Sequence, residues 1–125
     1  MIAFLPIFLR PSVPAFVITV MGIQISYQFK GRWIIRQFDA DQVVIGRPNS
    51  QHSVDIDLSP DTTVSRLHAR IWTENGQFWV DDVESRYGTL VNGKKLVGKI
   101  QIKPDDLIVI GETTLKVDDL PAAEA

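Results

Sequence analysis

The sequence predicts an all-β domain, either a sandwich or a barrel built from short strands. Residues 23–29 and 54–58 alternate between apolar and polar side chains, which is the pattern of a half-buried strand. Two dipeptides, Asn75-Gly76 and Asn92-Gly93, indicate tight hairpins, because a type I′ turn needs a positive φ at both central residues. No stretch shows the sustained 3.6-residue periodicity of an amphipathic helix.

The predicted strands follow one another with short connections, and turn residues mark most of their ends. Lys30-Gly31 separates the first two strands, Gly46 closes the third, and Ser59-Pro60 ends the fourth. Many short strands at regular spacing favour a sandwich or a barrel. The strands are expected at residues 23–29, 32–38, 42–45, 54–58, 68–73, 77–83, 89–91, 96–102, 107–110 and 113–117.

Composition limits the chemistry of the chain. Its 125 residues correspond to one domain, and its formal net charge of −2 gives no global attraction for nucleic acid or an anionic membrane. Any anion site must therefore be a local cluster of donors. There are no cysteines, which excludes disulfides, thiolate metal sites and a cysteine nucleophile and fits a cytoplasmic protein.

The chain divides by composition near Met21. Residues 1–20 are almost wholly apolar, with Arg10 as their only charge and three prolines interrupting the run. We interpret them as a poorly packed extension, with Met21 opening the domain proper. Extra strand or partner-binding surface is the second interpretation. A membrane anchor is the least favoured one, because a spanning helix needs about 20 apolar residues and this segment barely reaches that length while containing three prolines and Arg10. The domain is expected to cover residues 21–118, with a flexible tail at 119–125.

Three predicted loops carry arginine. Arg47 follows a β-branched run, Arg66 stands next to Ser65, and Arg86 stands next to Ser85. Loops of a sandwich cluster at its two ends, so these side chains could form one anion site. The guanidinium group offers a rigid fork of donors that matches phosphate. The alternative is that they are three solvated loop arginines.

The order and spacing of these residues resemble the forkhead-associated (FHA) domain family. The resemblance rests on Gly46-Arg47, on Ser65-x-x-His68, and on the run Gly88-Thr89-Leu90-Val91-Asn92-Gly93. It continues at residues 55–58 and 105–111, so that it covers about residues 22–118. Each motif alone is a weak signal, but all of them in order on an all-β pattern are specific.

This resemblance implies an FHA-type β-sandwich of about eleven strands whose apical loops bind a phosphothreonine peptide of a partner protein. By position, Arg47 would pair with the phosphate and Ser65 would donate its hydroxyl to a phosphate oxygen. Arg66, Arg86 and Tyr87 would contact the phosphate or the peptide. Residues expected to support the site are Gly46, His68, Gly88, Thr89 and Asn92. The resemblance implies no enzymatic activity, no cofactor and no nucleic-acid partner.

One position departs from the family pattern. The family usually has Asn immediately before the Gly-Thr pair, where its amide bonds the main chain of the peptide, and this chain has Tyr87 there. A phenol cannot reproduce the paired donor and acceptor of an amide. An alternative function is therefore a phosphate-independent interaction or self-association module of the same fold. Trp33, Trp72 and Trp79 are interpreted as core or cross-strand packing residues.

An enzyme is disfavoured. Ser65 and His68 could be imagined in a catalytic triad with an aspartate, but they lie where a loop enters a strand, and the chain has no Gly-x-Ser-x-Gly elbow.

Metal sites are also disfavoured. A calcium loop beginning at Asp55 would place Pro60 and Arg66 where the EF-hand pattern has Gly and Glu. A zinc site is not expected from two histidines in separate segments.

Overall fold

The computed structural model describes residues 22–120, so the predicted extension at 1–20 and residues 121–125 of the predicted tail lie outside the described residues. No helix that could cross a membrane is found in the part of the chain that the structure describes. Eleven strands occupy this part: β1 (Ile23–Phe29), β2 (Arg32–Phe38), β3 (Gln42–Gly46), β4 (Ile56–Asp57), β5 (Ala69–Glu74), β6 (Gln77–Asp82), β7 (Thr89–Val91), β8 (Lys94–Lys95), β9 (Ile100–Ile102), β10 (Ile108–Ile110) and β11 (Thr113–Asp119).

The strands form two sheets of a sandwich. One sheet has six strands in the order β2-β1-β11-β10-β7-β8, and the other has five in the order β4-β3-β5-β6-β9. All recorded pairs of neighbouring strands are antiparallel except β3 and β4, which are parallel. The predicted all-β sandwich of eleven strands is thereby confirmed.

Alternating side chains of both sheets build the core. Ile23, Ile25 and Tyr27 on β1 point inward, and Val43 and Ile45 on β3 meet them from the other sheet. This period of two is the pattern that predicted these strands. Burying an aliphatic side chain of this size contributes about 1.5–3 kcal/mol, so the inward rows hold the two sheets together.

The predicted hairpin turns are confirmed by their backbone conformation. Lys30-Gly31, Asn75-Gly76 and Asn92-Gly93 all have positive φ at both residues, with 54° and 82° in the first and 55° and 75° in the second. Such values match type I′ turns, whose twist fits that of the flanking strands.

Two predicted strands, at 54–58 and 96–102, are shorter by three or more residues than their sequence patterns indicated. Of residues 54–58 only Ile56–Asp57 pair as a strand, because the Asp55 carboxylate accepts the N–H of Val44 at 2.8 Å and the Asp57 carboxylate accepts the N–H of Ser59 at 2.8 Å. Aspartate that bonds nearby backbone competes with the strand ladder. The prediction at 96–102 was wrong for its first half, since Gly98 has a φ of 71° and the strand begins at Ile100.

The tryptophans divide between packing and exposure. Trp72 and Trp79 lie directly opposite each other on β5 and β6, as expected for cross-strand packing. Trp33 is exposed and is not a core residue, because it lies opposite Gln28 on the outer face of the edge strand β2.

The topology brings three loops to one end of the sandwich, which we call the loop end. Ile45, Ala69 and Asp82 lie side by side across β3, β5 and β6, so the chain leaves β3 and β6 and enters β5 at the same end. These loops are the β3–β4 loop (47–55), the β4–β5 loop (58–68) and the β6–β7 loop (83–88). They contain Arg47, Arg66 and Arg86, the three arginines of the predicted anion site.

Asp61 anchors the β4–β5 loop to the opposite sheet. Its buried carboxylate accepts the N–H of Glu112 at 2.7 Å and the hydroxyl of Thr113 at 2.8 Å, and it also accepts the N–H of Thr63 at 3.0 Å. Burial alone would raise the pKa of Asp61, but the hydrogen bonds from Thr63, Thr113 and Glu112 outweigh it and hold the pKa below its ordinary value.

We predict that Asp61→Asn lowers the free energy of unfolding by about 1–3 kcal/mol at pH 7, because the amide donates where the carboxylate accepts. The folded-state pKa of Asp61 is depressed. Its stabilisation is therefore fully present above the ordinary aspartate pKa of about 3.9 and is lost as the pH falls through the lower folded-state pKa. Urea unfolding of the wild-type and Asp61→Asn proteins at several pH values should show that the difference between their free energies of unfolding becomes smaller in acid. The exposed control Asp105→Asn should show neither effect, and a pH-independent difference would contradict the assignment.

Candidate functional site

The first loop fixes Arg47 against the second. The backbone N–H of Arg47 donates to the carbonyl oxygens of Ser65 and Arg66, at 3.1 Å each, and its Nε donates to the carbonyl of Val64. Gly46 makes this approach possible, because a Cβ there would collide with the carbonyl oxygen of Arg66. The half-buried guanidinium is thus fixed through its Nε. Its two terminal amino groups have no hydrogen-bond partner within residues 22–120.

His68 joins the second loop to the third. The N–H of Ser65 donates to Nδ1 of His68 at 3.0 Å, and Nε2 lies 2.8 Å from the carbonyl oxygen of Gly88. Because Nδ1 accepts, the proton must sit on Nε2, where it can donate to that carbonyl. The ring is fully buried, so the neutral imidazole is an internal brace between the two loops.

Ser65 is the point where the second and third loops meet. Its hydroxyl oxygen accepts the backbone N–H of Arg86 at 2.9 Å. A hydroxyl has one donor in addition to its acceptor positions. The Ser65 O–H can therefore still donate outward, from a position bonded to both the Arg47 loop and the Arg86 loop.

The third loop is an internally bonded turn around Asp82. Its carboxylate accepts the N–H of Ser85 at 2.8 Å, the hydroxyl of Ser85 at 2.6 Å and the hydroxyl of Thr89 at 2.7 Å. The Ser85 hydroxyl also accepts the N–H of Gly88 at 2.8 Å. Ser85, which the sequence placed beside Ser65 in an anion site, is therefore committed to the turn. Gly88 has a φ of 89°, so any other residue there would be strained.

Asp82 was not singled out by the sequence analysis. The signal was present in the Asp-x-x-Ser spacing of Asp82 and Ser85, which is typical of an aspartate that caps its own turn. Burial would raise the pKa of Asp82, but hydrogen bonds from Ser85 and Thr89 outweigh it and leave the pKa below its ordinary value. The carboxylate therefore stays ionised at neutral pH and holds the turn.

The outer surface of this end carries three cationic side chains and one aromatic ring. Arg66 and Arg86 are exposed and Arg47 is half-buried, and none of them forms an ion pair within residues 22–120. The ring of Tyr87 is 61% exposed, and the guanidinium of Arg86 lies over it at 5.5 Å from the ring centre. The contact is a cation–π interaction at a solvent-facing position.

Asn92 lies apart from these residues, at the other end of β7. With a φ of 51°, it shapes the β7–β8 turn, and its side chain donates to Asp106 at 3.0 Å and accepts the N–H of Leu107 at 3.0 Å. The structure therefore brings nine of the ten predicted site residues to the loop end and leaves Asn92 at the opposite end. Within residues 22–120 no group of three His, Cys, Asp or Glu side chains is arranged to hold a metal ion.

The fold and the site define a class of protein. The internally bonded loop end combines guanidinium groups that have no ion-pair partner within residues 22–120 with a hydroxyl that can still donate, which is the donor set that recognises a phosphate or another compact anion. The family model of the FHA domain matches residues 43–111, more than half of the 125-residue chain. The chain belongs to the FHA domain family, whose members are phosphopeptide-binding interaction modules and are typically non-catalytic.

The chain is also similar to individual proteins and solved structures. Over 78 residues the chain is 35% identical to Protein FraH of Nostoc sp. strain PCC 7120, an alignment that covers 58% of this chain and only 27% of that protein. The FHA domain of CT664 protein from Chlamydia trachomatis superposes with a TM-score of 0.69 at 22% identity, covering 80% of this chain and 99% of that one. At this identity the likeness shows the fold.

A further solved structure comes from a structural and functional analysis of phosphothreonine-dependent FHA domain interactions. It matches with a TM-score of 0.65 and 27% identity, covering 81% of this chain and 99% of the other.

We predict that His68→Ala lowers the free energy of unfolding by about 2–4 kcal/mol, because it removes two buried hydrogen bonds and leaves a cavity. Urea denaturation followed by tryptophan fluorescence measures the change. His52 is exposed, so His52→Ala is the matched control and should leave stability within about 0.5 kcal/mol. A fully stable His68→Ala protein would show that the imidazole does not brace the loops.

Proposed function

We propose that this domain recognises phosphothreonine in a partner protein and that Arg47, Ser65, Arg66, Arg86 and Tyr87 form the contact surface. The observation that carries the proposal is the placement of Ser65. Its N–H is bonded to His68 and its hydroxyl oxygen accepts the N–H of Arg86, which leaves the O–H free to donate to a ligand between arginine-bearing loops. The FHA family assignment supports a phosphopeptide as that ligand.

The phosphate would be held by charge-assisted hydrogen bonds. The terminal amino groups of Arg47 match two phosphate oxygens, and the Ser65 hydroxyl supplies a third donor. Arg66 and Arg86 add positive charge at the rim. Because the net charge of the chain is −2, attraction for the phosphate comes from this cluster alone, and we expect binding to weaken as salt is added.

The peptide on either side of the phosphate would meet Tyr87. Its ring is exposed and already in contact with Arg86, so it offers a flat apolar surface and one hydroxyl where an amide would offer a donor and an acceptor. We expect fewer main-chain hydrogen bonds to the peptide here. The proposed binding unit is residues 21–118 acting in the cytoplasm, which fits the absence of cysteine.

Fluorescence polarisation against matched peptide libraries tests this function. Phosphothreonine peptides should bind, unphosphorylated ones should not, and phosphoserine ones should bind about fourfold more weakly if one buried methyl group contributes about 0.8 kcal/mol. Arg47→Ala should weaken phosphothreonine binding on the order of 100-fold, because each hydrogen bond to a charged group contributes about 1.5–3 kcal/mol.

The control for Arg47→Ala is Lys94→Ala, an exposed cation on β8, which should bind normally. Equal binding to phosphorylated and unphosphorylated peptides, or full binding by a folded Arg47→Ala protein, would refute the proposed site. It would favour the phosphate-independent interaction module instead.

We predict that Tyr87→Asn tightens phosphopeptide binding about fivefold, because a new hydrogen bond to the peptide main chain contributes about 1 kcal/mol. The same polarisation assay measures the effect, and Tyr87→Phe separates the hydroxyl from the ring. Weaker binding by Tyr87→Asn, with Tyr87→Phe unchanged, would mean that the aromatic ring itself contacts the peptide.

A further inference from the structure

Strand β2 is an exposed edge with apolar side chains on both of its faces. It forms one end of the six-stranded sheet. Trp33, Ile34 and Ile35 are 49%, 40% and 63% exposed. An edge strand of seven residues without proline or glycine is a surface on which another extended segment can pair.

The free side of β2 can be assigned from its register. Phe29 and Arg32 are opposite each other across the two-residue turn, so they form a hydrogen-bonded pair and such pairs recur at every second residue. The backbone N–H and C=O groups of Ile34 and Arg36 therefore form hydrogen bonds with β1. The N–H and C=O groups of Trp33, Ile35 and Gln37 point away from the sheet, where they can accept an added strand.

The inward face of β2 lies beside a pocket. Residues opposite one another share a face, so Ile34 lies on the core side with Tyr27. Between Ile34 and the start of the β4–β5 loop is a pocket of about 290 Å³, whose wall includes Leu58 and Pro60. Asp57 of β4, the two-residue strand that ends the second sheet, also lines this pocket.

The pocket has a polar feature in its wall. Tyr27 is 8% exposed and lines the pocket. Its hydroxyl has no hydrogen-bond partner within residues 22–120. The hydroxyl oxygen is nevertheless not one of the fully buried side-chain atoms without a partner, so part of it is accessible. The hydroxyl is therefore open to the pocket. An entering apolar side chain would cover the tyrosine ring and the face of Ile34.

Two cations flank the pocket face of β2. Arg32 and Arg36 alternate with Ile34 along the strand and so share its face, and Arg32 also lines the pocket. Neither forms an ion pair within residues 22–120. A strand paired with β2 would place one residue opposite each of the three. A partner strand complementary to these three side chains would have the residue pattern acidic, any residue, apolar, any residue, acidic.

We propose that β2 binds an extended segment of a partner protein with this acidic–x–apolar–x–acidic pattern, by strand addition, with its apolar side chain entering the pocket. The charges select against a second copy of this chain. An antiparallel pairing that stacked Ile34 on its own copy would set Arg32 of each copy opposite Arg36 of the other, and like charges directly opposite destabilise a sheet. An acidic segment converts the same two positions into attractive pairs.

An NMR titration of the full chain tests the proposal. The probe is the capped peptide Thr-Glu-Thr-Phe-Thr-Glu-Thr, and the control peptide has lysine in place of both glutamates. We expect the glutamate probe to shift the amide signals of Trp33, Ile35 and Gln37 and to leave those of Arg47 and Ser65 unmoved.

Two variants separate charge from backbone pairing. The double variant Arg32→Glu/Arg36→Glu should bind the glutamate probe about tenfold more weakly and should gain affinity for the lysine probe, because two exposed ion pairs change sign. Ile35→Pro removes only a free donor, so it should fold and lose the probe. Both variants should still bind phosphothreonine peptides, which keeps this test independent of the proposed phosphothreonine recognition.

Three results would overturn the proposal. The first is that the amide signals of β2 do not shift at a millimolar concentration of the glutamate probe. The second is that the Arg32→Glu/Arg36→Glu protein binds both probes with unchanged affinity. The third is that the amide signals shift only at the loop end. Sedimentation that revealed a concentration-dependent dimer abolished by Ile35→Pro would assign the edge to a second copy instead.

Discussion

The buried imidazole of His68 is the contact on which the geometry of the loop end depends. It accepts from the N–H of Ser65 with one nitrogen and faces the carbonyl of Gly88 with the other, so one side chain connects the β4–β5 loop with the β6–β7 loop. A backbone hydrogen bond from the N–H of Val83 to the carbonyl of His68, at 2.8 Å, joins the same two loops where they meet β5 and β6. A neutral histidine is suited to the position, since it has an acceptor and a donor on opposite sides of one rigid ring.

Around this brace the loops satisfy their own polar groups and leave their cations unpaired. Asp82 accepts from Ser85 and Thr89 and fixes the third loop without help from any arginine. The guanidinium groups of Arg47 and Arg86 are consequently available to a ligand. A site that is rigid before it binds loses less conformational freedom on binding. If the proposed phosphate recognition holds, the internal network contributes to affinity although its members need not touch the ligand.

The sequence predicted the features that local patterns encode. Alternation in residues 23–29 and the Asn75-Gly76 dipeptide indicated a strand and a turn that the structure contains. The prediction from sequence failed where contacts with residues distant in the chain determine the role of a side chain. Ser85 resembles Ser65 as a loop serine, but its hydroxyl is used by Asp82 and Gly88. Trp33 is the kind of residue that usually packs in a core, but the register places it opposite Gln28 on the outer face, and the strand order places β2 at an edge, so it is exposed.

The β4–β5 loop connects the loop end with the pocket beside β2. Its last residues bond Arg47 through the carbonyls of Val64 and Ser65, while Leu58 at its start lines the pocket. Asp61 fastens the middle of the loop to the β10–β11 turn, so both surfaces share one rigid wall. If both proposals hold, a partner with a phosphothreonine and an acidic strand on one chain engages both surfaces. Its second contact would then form at an effective concentration of about millimolar, which raises affinity without any new contact.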